Sequence, residues 1–78
     1  MTFQALDTVV LSRDLPEHGL CEGDIGAVVH AYLPDGLEVE FVTASGRTQA
    51  LVTINQSDVR VARDGDLVTV RSATPGAV

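Results

Sequence analysis

A chain of 78 residues makes one domain with one small core, since a fold of this size buries only about 60% of the surface its unfolded form exposes. Eleven carboxylates stand against five arginines and no lysine, a net charge of −6, so nucleic acid is not an expected partner: neutralising phosphates takes clustered cations. Apolar residues make up 45% of the chain, enough for that core, yet no run approaches the roughly 18 residues of a membrane-spanning helix, and no membrane partner is expected.

The first eleven residues carry Asp7 inside an apolar stretch, with no basic cluster and no small-residue cleavage site, which is unlike a secretory signal. Cys21 is the single cysteine and has no partner for an internal disulfide, as in a reducing compartment. A cytoplasmic location is therefore expected. The charge is also uneven. Residues 1–40 hold eight acids and only Arg13, whereas residues 41–78 hold Asp58, Asp64 and Asp66 against Arg47, Arg60, Arg63 and Arg71.

In chain order, Thr8-Val9-Val10-Leu11 is a β-branched run that predicts a first strand. Residues 12–23 form a long loop with Pro16, Gly19 and Gly23 and no helical spacing of apolar residues; Leu15 and Leu20 are its candidate anchors to the core. Gly23 and Gly26 frame the turn that leads into the longest apolar run. Glycine there supplies backbone angles closed to other residues or lets a second strand approach closely. Ala27 to Leu33 predicts a second strand, apolar on both faces except at His30 and so expected to be central or covered on both sides.

Pro34-Asp35-Gly36 turns the chain into Leu37-Glu38-Val39-Glu40-Phe41, whose strict alternation puts Leu37, Val39 and Phe41 in the core and the two glutamates on the exposed face. Ala44-Ser45-Gly46 closes a hairpin, and residues 48–54 return as a fourth strand. Asn55 to Asp58 suits a single helical turn before a brief fifth strand, Val59-Arg60-Val61. After the turn Arg63-Asp64-Gly65-Asp66, Leu67 to Arg71 reads as a sixth strand. The predicted fold is all-β: a small, partly open barrel of five short antiparallel strands, extended by that sixth, in one domain over residues 1–72 with a flexible tail at 73–78.

This order of strand, long loop, Gly-x-x-Gly turn, central strand, hairpin, short turn and closing strand resembles the SH3-like barrel over residues 6–62. Asp7-Thr8-Val9-Val10-Leu11, Asp14-Leu15-Pro16-Glu17-His18-Gly19-Leu20, Gly23-Asp24-Ile25-Gly26, Val28-Val29-His30 and Val39-Glu40-Phe41 resemble a family of very small bacterial proteins catalogued only as a domain of unknown function. That resemblance implies a fold and no activity. Residues 23–28 also resemble the KOW motif of ribosomal and transcription-factor SH3-like domains, which implies nucleic-acid or protein binding; here Glu22 and Asp24 would repel phosphate.

His18, Cys21, Asp24 and His30 carry metal-ligand chemistry, but one thiol and two separated imidazoles fall short of a structural zinc set, so no metal or other cofactor is expected. Ser12 with Asp14 and His18, or Glu38 with Glu40, could suggest hydrolysis. A barrel this small has little interior left for a water-excluding cleft, so no enzyme is expected. Three aromatic rings, Phe3, Tyr32 and Phe41, are too few for a cation-binding cage or a base-stacking platform.

The reading that remains is a non-enzymatic protein–protein interaction module. Its candidate contact residues are Asp14, Glu17, His18, Glu22 and Asp24 in the loop and Glu38 and Glu40 on the strand, facing an unidentified basic partner. The alternatives are a structural homo-oligomer paired through residues 67–71, and an acidic antitoxin-like or immunity-like partner that neutralises a basic toxin.

Overall fold

The computed structural model describes residues 3–73. Five strands, β1 (Thr8–Leu11), β2 (Ile25–Tyr32), β3 (Gly36–Val42), β4 (Thr48–Asn55) and β5 (Val59–Val61), form one antiparallel sheet in the order β4-β3-β2-β1-β5. The sheet is not closed between β4 and β5, so the molecule is a small, partly open all-β barrel. Two single turns of 3-10 helix interrupt it, Pro16–His18 in the long loop and Gln56–Asp58 before β5.

Alternation builds the interior. Val9 and Leu11, Val28, the trio Leu37, Val39 and Phe41, Val52 and Val59 all point into one cluster, with Leu15 and Leu20 folded in from the loop and Phe3 from the N-terminal segment. Each such side chain contributes about 1.5–3 kcal/mol when fully buried, and together they outweigh the little that the short turns supply. The loop is not loose. Leu15 and Leu20 form a bridge around the 3-10 turn, which Gly19 ends in a left-handed conformation at φ 69°.

β2 is the strand on which the barrel bends. Its start pairs with β1, placing Val9 opposite Gly26, and its remainder pairs with β3, placing Val28 opposite Val39. A register shift between Val28 and His30 adds the local twist typical of a bulge. Leu6, at φ 75°, takes a left-handed turn that lets its N–H reach the Val28 carbonyl at 2.7 Å, while the Val28 N–H reaches Asp7 at 2.9 Å. The β1–β2 ladder is thereby extended by two bonds.

One of two alternatives for β2 holds, and the expected sixth strand needs correction. β2 is central, but it is not covered on both sides: Ala27, Val29, His30, Ala31 and Tyr32 are exposed, because no second layer lies over its outer face. Residues 67–71 form no strand. Leu67, Val68 and Val70 are exposed, and the segment is held by side chains, so alternation there marks an extended course without a ladder. The tail expected at 73–78 lies, except for Ala73, outside the described residues.

Candidate functional site

The loop between β1 and β2 owes its shape to its own carboxylates. Asp14 Oδ1 accepts the Glu22 N–H at 2.8 Å, and Asp24 Oδ2 accepts the Cys21 N–H at 2.8 Å. These bonds fold Leu20 to Asp24 into a turn in which Gly23 sits at φ 93°. A further backbone pair, the Gly23 N–H to the Leu11 carbonyl and the Leu11 N–H to the Asp24 carbonyl, both at 2.9 Å, ties the turn to β1.

Beyond this turn Asp24 meets a guanidinium from far along the chain. Arg71 Nε donates to Asp24 Oδ1 at 3.0 Å, and Arg71 Nη2 donates both to Asp24 Oδ2 and to the Gly19 carbonyl, the latter at 3.1 Å. Burial pushes the Asp24 carboxyl up, but the Arg71 hydrogen bond, the Cys21 N–H and the Arg71 charge outweigh it and hold Asp24 below its ordinary range. Two more ion pairs latch other segments. Arg13 Nε donates to Asp58 Oδ1 at 2.8 Å, and Arg60 donates through Nη1 and Nη2 to both oxygens of Asp66 at 2.9 and 2.8 Å.

An open cavity of about 430 Å³ lies against this corner of the barrel. Leu20, Ile25, Phe41 and Val42 are among its apolar walls; Glu22 and Asp24 stand on one side, and the segment from Val68 to Arg71 on another. The structure thus brings Glu22 and Asp24 together with the end of β3. Glu17 and His18 are exposed on the 3-10 turn, while Glu38 and Glu40 run along the outer face of β3, opposite His30 and Ala27 of β2.

The seven candidate contact residues are not equivalent. Asp14 and Asp24 are engaged inside the loop, so they shape the surface more than they offer it free charge. Glu38 and Glu40, expected to be exposed, are half-buried. Glu40 accepts the Thr48 hydroxyl at 2.6 Å and Glu38 accepts the Tyr32 hydroxyl at 3.4 Å, because side chains of β2 and β4 flank them on the same face. Of these seven, Glu17 and Glu22 have carboxylates with no hydrogen-bond or close ion-pair partner among the described residues, although Glu17 lies near enough to act electrostatically on Arg13.

His30 packs edge-on against Tyr32, with ring centroids 4.5 Å apart, on β2. Among the described residues no group of three His, Cys, Asp or Glu side chains could hold a metal ion, and no helix is long and apolar enough to cross a membrane. Sequence reasoning missed Arg71, the Gly19 carbonyl and the cavity. The usable signal was arithmetic: with no lysine, each arginine is a scarce partner for eleven acids.

Fold and site together define a class, an open five-stranded β-barrel whose first loop offers carboxylates beside an apolar cavity. Residues 5–61 match the family model described as Domain of unknown function (DUF4926), and the chain belongs to that family. The matched span takes in all five strands and ends with β5, so the segment bearing Arg71 follows it. Comparison with curated proteins and with solved structures finds no match in either.

Proposed function

We propose that this protein is a non-enzymatic, cytoplasmic interaction module that binds a basic protein partner through its first loop, in the manner of small SH3-like barrels in bacteria. The observation that carries the reading is the distribution of charge. Three of the five arginines are committed to Asp24, Asp58 and Asp66, while Glu17 and Glu22 stand exposed, and Glu22 borders a cavity with apolar walls. Fixed acids beside apolar surface steer a basic partner by charge and retain it by burial. Strand order, a long loop after β1 and a 3-10 turn before β5 support the SH3-like assignment, and an acidic cap on a basic toxin is one form such binding could take.

Affinity capture from the native cell is the test, run with the wild type and with a Glu17→Gln/Glu22→Gln double variant. A basic protein retained by the wild type, released as salt rises and lost with the variant supports the reading. Identical retention by both proteins would reduce the loop acids to solubilising charge.

A second reading, self-association, draws on a different observation. Among the described residues β4 (Thr48–Asn55) lies at one edge of the sheet, without a charged side chain along it, and an uncharged edge is the surface of this acidic chain least protected against pairing with a second copy. Sedimentation of the wild type and a Leu51→Lys variant distinguishes the readings. A monomer in both cases leaves the loop as the contact; a dimer abolished by Leu51→Lys places it on β4.

A further inference from the structure

We propose that the corner formed by Asp24, the Gly19 carbonyl and the apolar cavity is a receptor for an arginine-bearing extended segment of another protein, and that residues 67–71 occupy it as a displaceable internal stand-in. The proposal rests on the reading of the first loop as the partner-binding surface and names what that surface recognises.

Geometry sets the ligand chemistry. Arg71 presents a fork to Asp24, Nε to one carboxylate oxygen and Nη2 to the other, and adds the Gly19 carbonyl at 3.1 Å. A planar guanidinium satisfies all three acceptors at once, whereas an ammonium group delivers only a point charge to them. Leu20, Ile25, Phe41 and Val42 line the adjoining cavity, so apolar residues flanking the arginine have somewhere to go. Glu22 borders the same cavity, its carboxylate unpaired among the described residues, leaving one negative charge for a second basic residue on the incoming segment.

The resident segment is built to leave. Among the described residues, 67–71 have no ladder partner, and Val68 and Val70 keep their side chains largely exposed although they border the cavity. Arg71 is therefore its main attachment, a forked and partly exposed ion pair that an incoming guanidinium can replace bond for bond. It holds because it is tethered. Asp66, gripped by Arg60 and by the Arg63 N–H at 2.7 Å, fixes the start of the segment against the chain's own β5, and a short tether supplies an effective concentration of roughly millimolar. The same anchor disfavours exchange of this segment with a second copy. A competing segment would place its arginine on Asp24 and the Gly19 carbonyl and lay its flanking apolar residues along Leu20, Ile25, Phe41 and Val42, where Val68 and Val70 now form the facing wall.

The test uses the full chain and a synthetic peptide, Asp-Leu-Val-Thr-Val-Arg-Ser-Ala, that reproduces residues 66–73, together with its Arg-to-Lys form. Amide NMR titrations are run on the wild type, on Arg71→Gln and on Arg71→Gln/Asp24→Asn; asparagine keeps an oxygen for the Cys21 N–H, and dispersed spectra verify folding. The arginine peptide should shift the Gly19, Cys21 and Asp24 amides of Arg71→Gln saturably and bind it roughly ten-fold more tightly than the wild type, whose site is occupied. The lysine peptide should bind several-fold more weakly, and Asp24→Asn should remove the response. No saturable shift in Arg71→Gln, equal affinity for the wild type, or indifference between the two peptides overturns the proposal. If the peptide fails while a captured basic partner still depends on Glu17 and Glu22, the inference falls and the broader reading stands.

Discussion

A methyl group added at Gly26 would stand 2.7 Å from Val39 Cγ1, 2.8 Å from Phe41 Cε1 and 3.0 Å from the Glu40 carbonyl oxygen. Gly23 meets nothing within 4 Å but holds φ 93°. The two glycines are thus required for different reasons, close approach in one case and backbone conformation in the other. Gly26→Ala should cost about 1–3 kcal/mol as an overpacked core does, and Gly23→Ala more than the ~1 kcal/mol of a compatible site, because alanine must hold the positive φ. Urea denaturation of both variants checks these costs; a Gly26→Ala protein as stable as the wild type would show that β3 does not cross so closely. Both glycines were legible because each interrupts a pattern that would otherwise continue. The core face Leu37, Val39 and Phe41 was legible from period alone. The half-buried state of Glu38 and Glu40 was not, since alternation reports which face a residue is on and says nothing of Tyr32 and Thr48 reaching across it.

At the scale of elements, short strands and 3-10 turns are held in place by aspartates used as latches. Asp58 accepts the Asn55 N–H at 3.2 Å and pairs with Arg13, joining the turn before β5 to the loop after β1. Its carboxyl is lowered first by the Arg13 hydrogen bond, against some burial, and then by the Asn55 N–H. Asp66 is held down to about 2 by Arg60 and the Arg63 N–H. A depressed carboxyl stabilises the fold above its unfolded value, near pH 4, and that contribution is lost as pH falls through the folded value. Stability should therefore decline between about pH 4 and pH 2. Asp58→Asn should melt lower than the wild type at pH 7, by about 1 kcal/mol for the weakened turn and pair, and the gap should narrow as acid protonates Asp58 below its ordinary range. Thermal melts across that range check it, and a gap independent of pH would mean that the ion pair contributes nothing. None of these latches shows in a local pattern: Arg13 reaches 45 residues along the chain and Arg71 reaches 47, and only the closed fold brings them within range.

For the whole molecule, the five strands were legible because turns and β-branched runs are local, although β2 begins at Ile25 and ends at Tyr32 where Ala27 to Leu33 was expected, whereas the fate of residues 67–71 was not legible. Alternating valines satisfy strand propensity equally well with or without a neighbouring edge. The arrangement of that sheet also sets an order of assembly. β2, β3 and β4 follow one another through short hairpins, but β5 must find β1 from the far end of the chain, Val9 opposite Val61. The entropy of closing so long a loop is lost before any contact repays it. The meander from β2 to β4 should then form first, with the β1–β5 seam closing after the rate-limiting barrier. In chevron measurements Val52→Ala should slow folding, and Val59→Ala should mainly speed unfolding; a Val59→Ala chain that folds as slowly as Val52→Ala would reverse the order. A seam that closes last is also the first to part. Under fluctuation or force the barrel should open between β1 and β5, shedding the Arg13–Asp58 latch with it, while the three-stranded meander persists.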